Sequence, residues 1–100
     1  MVTHIVMWKV MEEVEGLGKT AILEKIKVDL ESLKGKVPEI RDLRAGISAK
    51  SDRDSWDIVL YTTFDSFDGL DSYQKNPEHL KVAQFIGKVR KERSVVDFES

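Results

Sequence analysis

Tyrosine and histidine can pass a proton on near neutral pH, and one of each falls within the segment SYQKNPEHLKVAQF, residues 72 to 85. Asn76-Pro77 supplies an N-cap and a proline at the first helical position, the preferred chemistry for starting a helix. His79 then takes the third helical position and precedes Val82, Ala83 and Ile86 on the same face by three, four and seven residues. It points inward, at the rim of a core. Tyr73 follows Leu70 by three on the preceding helix, so its ring faces in as well. A helix N-terminus disfavours the imidazolium, which keeps His79 neutral near pH 7 and able to accept a proton. A neutral, inward histidine beside a buried phenol can serve as an acid–base pair. It reads equally as two core residues that satisfy each other.

The other reactive groups exclude more than they offer. The chain has no cysteine, which removes disulfides, thiolate chemistry and cysteine-based metal sites and suits a reducing compartment. His4 and His79 are the only histidines, with no HExxH and no acidic loop of EF-hand spacing, so no metal site and no cofactor are expected. A weakly held cation at the carbonyl end of the first helix stays open. GLGKT, residues 16 to 20, imitates a phosphate loop but has Glu13 where that motif needs its first glycine. Its glycines read as a turn.

Charge excludes further partners. A formal net charge of −2, with both signs mixed along the chain, gives nucleic acid no basic surface. Lys88, Arg90, Lys91 and Arg93 cluster at the end of the last expected helix, where cations complement exposed carbonyls, and read as a solvated helix end. No apolar run approaches the ~20 residues that span a bilayer. No membrane partner is expected, and the compartment is read as cytoplasmic.

The elements that must position these groups follow from periodicity. A chain of 100 residues that is 41% hydrophobic and 34% charged supports one globular domain, residues 1–100, and no second core. Residues Thr3 to Met11, THIVMWKVM, are rich in β-formers, with His4, Val6, Trp8 and Val10 alternating against Ile5, Met7, Lys9 and Met11. After a turn at Glu15-Gly16-Leu17-Gly18, residues Ile22, Leu23, Ile26, Leu30 and Leu33 share one arc of a helix that ends near Gly35. Ile40–Ala49 and Trp56–Phe64 read as strands joined by a hairpin loop at SDRDS. Ser66 caps a short helix with Phe67, Leu70 and Tyr73, and Asn76 opens the next, with a stripe of Val82, Phe85, Ile86 and Val89. Val95–Phe98 closes the chain as a strand.

The order βαββαβ is the split βαβ plan: α+β, ferredoxin-like, a four-stranded antiparallel sheet with helices on one face. The other face would leave Ile5, Met7, Met11, Val59 and Tyr61 bare, a larger apolar patch than a stable monomer tolerates. Pairing two sheets through a two-fold axis covers it and predicts a homodimer, a dimeric α+β barrel.

Four stretches also look familiar: HIVMWKV, the third strand running into TTFDSFDGLDSY, NPEH, and VVDF. Together they resemble the Dabb family, the stress-responsive A/B barrel domains, over essentially the whole chain. Tyrosine followed by x-x-[HN]-P-x-H is the most specific mark. The resemblance implies a dimeric α+β barrel. Members include plant stress-responsive proteins and a polyketide cyclase in which a histidine is the base and a tyrosine steadies the substrate. By motif position these roles fall on His79 and Tyr73, and the first-strand pocket histidine falls on His4. The third-strand pocket histidine is replaced by Ile58, and Asn76 stands where many members have histidine before the proline. The reading is a pocket between sheet and helices, lined by His4, Val6, Trp8, Ile58, Tyr73, His79 and Phe85, that takes a small apolar or aromatic molecule. Two alternatives stand beside it: a non-catalytic stress-response or structural dimer, and a cyclase-like lyase or cofactor-free monooxygenase.

Overall fold

β-branched and aromatic side chains crowd the start of the chain, and in the computed structural model they form β1, Val2–Val10. The structure describes residues 1–50, 52 and 54–100. The hairpin loop expected at residues 51–55 includes Ser51 and Arg53, which lie outside the described residues. β1 is followed by a miniature hairpin, β2 (Glu13–Val14) and β3 (Leu17–Gly18). The turn between them consists of Glu15 and Gly16 with φ of 51° and 86°, the left-handed pair that a two-residue hairpin favours and that glycine adopts without cost.

The main sheet has the order β4-β5-β1-β6, every neighbour antiparallel, with β4 at Asp42–Ile47, β5 at Ile58–Phe64 and β6 at Arg90–Glu99. This is the expected ferredoxin-like arrangement. Helix α1 (Lys19–Ser32) buries Ile22, Leu23, Ile26 and Leu30, while Val28 on its far side is exposed. A 3₁₀ turn at Leu33–Gly35 finishes the helix. Helices α2 (Phe67–Lys75) and α3 (Pro77–Val89) join α1 on the same side of the sheet. There Val2, Val6, Trp8 and Val10 of β1 meet Leu60 and Phe64 of β5 and the buried helix residues in a single core. Among the described residues no helix is long and apolar enough to cross a membrane.

Directly opposed residues of antiparallel strands share a face. Ile5 therefore lies in one row with Tyr61 and Val96, and Met7 lies beside Val59, on the face the helices do not cover. Thr3 and Phe98 continue that surface. Tyr61, Val96 and Phe98 are exposed. Met11, expected in this patch, is not part of it: the register shifts between Lys9 and Val10, β1 ends, and the Met11 amide bonds to the Val89 carbonyl at 2.9 Å.

The last strand begins at Arg90, well before the expected Val95, because backbone pairing with β1 carries it through a charged stretch. Of the four clustered cations only Lys88 lies in α3. Arg90 is the residue after the helix, and Lys91 and Arg93 belong to β6, which corrects their reading as a helix end.

The break between α2 and α3 is set by Asn76. Its ψ of 132° is the extended conformation imposed on a residue before proline, and its side chain accepts a hydrogen bond from the Glu78 amide at 2.8 Å. Asn76→Ala keeps the permitted backbone and removes only the cap. It is expected to cost ~0.5–2 kcal/mol in urea unfolding. An unchanged midpoint would show that the cap does not hold α3 in place.

Candidate functional site

The turn at Asn76 folds the end of α2 onto the start of α3 and sets Tyr73 against His79, ring centroids 4.4 Å apart. On its other side the Tyr73 ring meets Phe64 at 5.2 Å, and His4 of β1 approaches edge-on at 6.2 Å. Tyr73 is only 1% exposed. Its contact with His79 is ring against ring, without a hydrogen bond. Among the described residues no protein group is bonded to the hydroxyl, yet that oxygen is not sealed in. Tyr73 borders a cavity of about 220 Å³ between the sheet and α3.

His4, Val6 and Trp8 reach this cavity from β1, Leu60 from β5, and His79, Val82 and Ile86 from α3. His4 is held from two directions. Its Nδ1 is bonded to the carboxylate of Asp97, directly opposite it on β6, and the Thr62 hydroxyl donates to its carbonyl oxygen at 2.9 Å. His79 is half-buried, and its Nδ1–H donates to the Gln74 carbonyl at 3.2 Å. A carbonyl can only accept, so this bond assigns the proton to Nδ1 and leaves Nε2 as the basic nitrogen of the neutral ring.

Burial is the main force on both titrating groups. Desolvation lowers the His79 pKa, opposed by the bond to Gln74 and reinforced by the nearby charges of His4 and Arg93. The neutral state expected from the helix N-terminus thus arises first from burial. Desolvation also pushes the Tyr73 phenol well above its ordinary 10.0, with Arg93 pulling it back. Tyr73 is therefore a hydrogen-bond donor here and not a phenolate.

Five of the residues expected around the pocket, His4, Val6, Trp8, Tyr73 and His79, border one cavity. Ile58 and Phe85 do not. Ile58 faces the core but lies opposite Trp8, past Leu60, at the start of β5, where it is fully covered. Phe85 is rotated by about 120° from His79 around α3 at 3.6 residues per turn. It turns toward α1, where Lys25 sits 4.8 Å from its ring centre. Sequence reasoning passed over Asp97 and read Arg90 and Arg93 as a solvated helix end. Asp97 is the partner of His4, and both arginines border the cavity. Their signal was the register of β6 against β1, which no single segment carries. Among the described residues no three His, Asp or Glu side chains converge as a metal site requires.

The chain matches the family described as Stress responsive A/B Barrel Domain over residues 2–100. Among solved structures it is similar to a dimeric protein of unknown function with a ferredoxin-like fold from Bacteroides fragilis, at 29% identity and a TM-score of 0.87, covering 99% of this chain and 95% of that one. A dimeric ferredoxin-like protein from Thermobifida fusca is 21% identical with a TM-score of 0.85, covering 99% and 90%. The hydroxynitrile lyase of Passiflora edulis is 19% identical with a TM-score of 0.79, covering 97% and 90%, a likeness of fold. No curated protein matches the chain.

Because burial lowers its pKa, His79 should titrate by NMR below its ordinary 6.5. Between that folded midpoint and 6.5 the unfolded chain holds the extra proton. The His79 contribution to stability therefore falls as pH drops through this window and is flat below it. The difference in unfolding free energy between wild type and His79→Gln, followed against pH, should show that slope. Removing a nearby positive charge with Arg93→Gln should raise the midpoint. A midpoint above 6.5 would contradict the burial argument.

Proposed function

Since the chain belongs to the stress responsive A/B barrel family, we propose that it works as a homodimer whose subunits each hold a small, mostly apolar or aromatic molecule in the cavity between sheet and helices. Nε2 of His79 takes a proton from that molecule, and the Tyr73 hydroxyl donates a hydrogen bond to it. One observation carries this reading. Among the described residues the Tyr73 hydroxyl, whose oxygen is not sealed in, has no protein hydrogen bond; it lies beside a neutral imidazole whose Nε2 has none either, and both residues border the same cavity. Two core residues that merely satisfied each other would be hydrogen-bonded together.

The dimer is supported by the uncovered sheet face, where Ile5, Met7, Val59, Tyr61, Val96 and Phe98 form one apolar surface. Its likeness to the Bacteroides fragilis and Thermobifida fusca proteins, both described as dimeric, points the same way. The Passiflora edulis hydroxynitrile lyase illustrates, as analogy of fold alone, that this architecture can host chemistry on a small molecule.

Sedimentation equilibrium at micromolar concentration is expected to give twice the chain mass of 11.4 kDa. Met7→Lys, which buries a charge in the joint, should dissociate or unfold the protein. A monomeric wild type would refute the dimer.

The pocket is tested separately with 2-naphthamide, a neutral aromatic probe, by calorimetric titration. Tyr73→Phe should weaken its binding by about 2- to 10-fold, the worth of one hydrogen bond, and leave thermal stability unchanged. Loss of stability with unchanged binding would make Tyr73 a core residue and nothing more.

A further inference from the structure

Resting on the reading of the cavity as a small-molecule site, we propose that its ligand is an organic anion, an aromatic carboxylate whose charged end is held by Arg93 and Arg90 at the pocket rim. The observation behind this is a placement that a regular strand would not produce. Residues three apart on a β-strand point to opposite faces. Arg90 and Arg93 are three apart, yet they oppose Val10 and Trp8, two residues of the same helix-facing row. The register shift between Lys9 and Val10 makes this so: Lys91 is the extra residue, with no partner on β1, and the chain turns Arg90 back to the side of Arg93. Both arginines thereby border the cavity.

Among the described residues neither arginine forms an ion pair. By contrast, Arg41 grips Asp65 at 2.6 Å, and most lysines have a carboxylate within reach. Two carboxylates of the same strand are engaged elsewhere: Asp97 holds His4, and Glu92 lies on the opposite face of β6, 3.5 Å from Lys9. Among the described residues no carboxylate lines the cavity. The site thus offers two unneutralised cations at the rim and an apolar interior of Val6, Trp8, Leu60 and Ile86, the complement of a flat apolar acid. The field of Arg93 reaches inside, since it lowers the pKa of both Tyr73 and His79. A bound anion would offset it. A solvated strand with incidental arginines, or Arg90 as a cation complementing the carbonyl end of α3, would leave ligand charge without effect.

The test compares 2-naphthoate with the neutral 2-naphthamide by calorimetric titration at low salt. The carboxylate should bind the wild type at least ~10-fold more tightly. That preference should shrink with added sodium chloride. Arg93→Gln should remove most of the preference, weakening 2-naphthoate far more than 2-naphthamide, and leave the melting temperature unchanged, with a smaller loss for Arg90→Gln. Binding of naphthoate should raise the His79 NMR midpoint. Equal affinity for the two probes, or arginine variants that weaken both alike, would overturn the anion assignment while the pocket stands. Failure of both probes to bind would overturn the pocket and the anion together.

Discussion

Strand β1 is hydrogen-bonded on both edges, to β5 and to β6, and its side chains alternate between two unlike surroundings. His4, Val6 and Trp8 face the helices and floor a cavity, whereas Ile5 and Met7 face away onto a surface without cover. A slip of one residue would exchange the two sets, placing Lys9 in the core and His4 outside. The register is therefore over-determined. It fixes at once the position of His4 opposite Asp97, that of Arg93 opposite Trp8, and the apolar row through Tyr61, Ile5 and Val96. Pocket and bare face are two consequences of one alternation.

What the cavity can do chemically depends on burial more than on any single contact. Desolvation keeps the phenol of Tyr73 protonated and the imidazole of His79 neutral, so the two groups stay in complementary states over the same pH range. Hydrogen bonds then settle orientation. The Gln74 carbonyl fixes the proton of His79, and Asp97 with Thr62 fixes His4. Among the described residues the Tyr73 hydroxyl and His79 Nε2 are left without a protein partner, and that is where a ligand has something to gain.

Much of this was legible in the chain because the signals are local. The N-cap and proline at residues 76 and 77 placed the start of α3, the spacing of Leu70 and Tyr73 turned the ring inward, and the alternation in β1 separated its two faces. What escaped depends on pairing between distant segments. The run RKER has no apolar period and does not read as strand, but β1 pulls it into the sheet, which is why Arg90 and Arg93 were missed as pocket residues; Asp97 lies in the expected last strand, but its pairing with His4 depends on the register between distant segments. The same shift removed Met11 from the bare face. Phe85 sits on the apolar stripe of α3, but that stripe is wide enough to touch two neighbours, and its edge packs toward α1 instead of the cavity. Ile58 has the correct face and the wrong position along it.

The central claim is that a buried, neutral His79 presents a free basic nitrogen next to an unpartnered phenol. The most direct measurement is the nitrogen-15 NMR spectrum of the His79 ring at pH 7, which distinguishes its two tautomers and its cation. The account predicts a neutral ring with hydrogen on Nδ1, held by the Gln74 carbonyl, and a bare Nε2. A ring protonated on Nε2, or on both nitrogens, would contradict it.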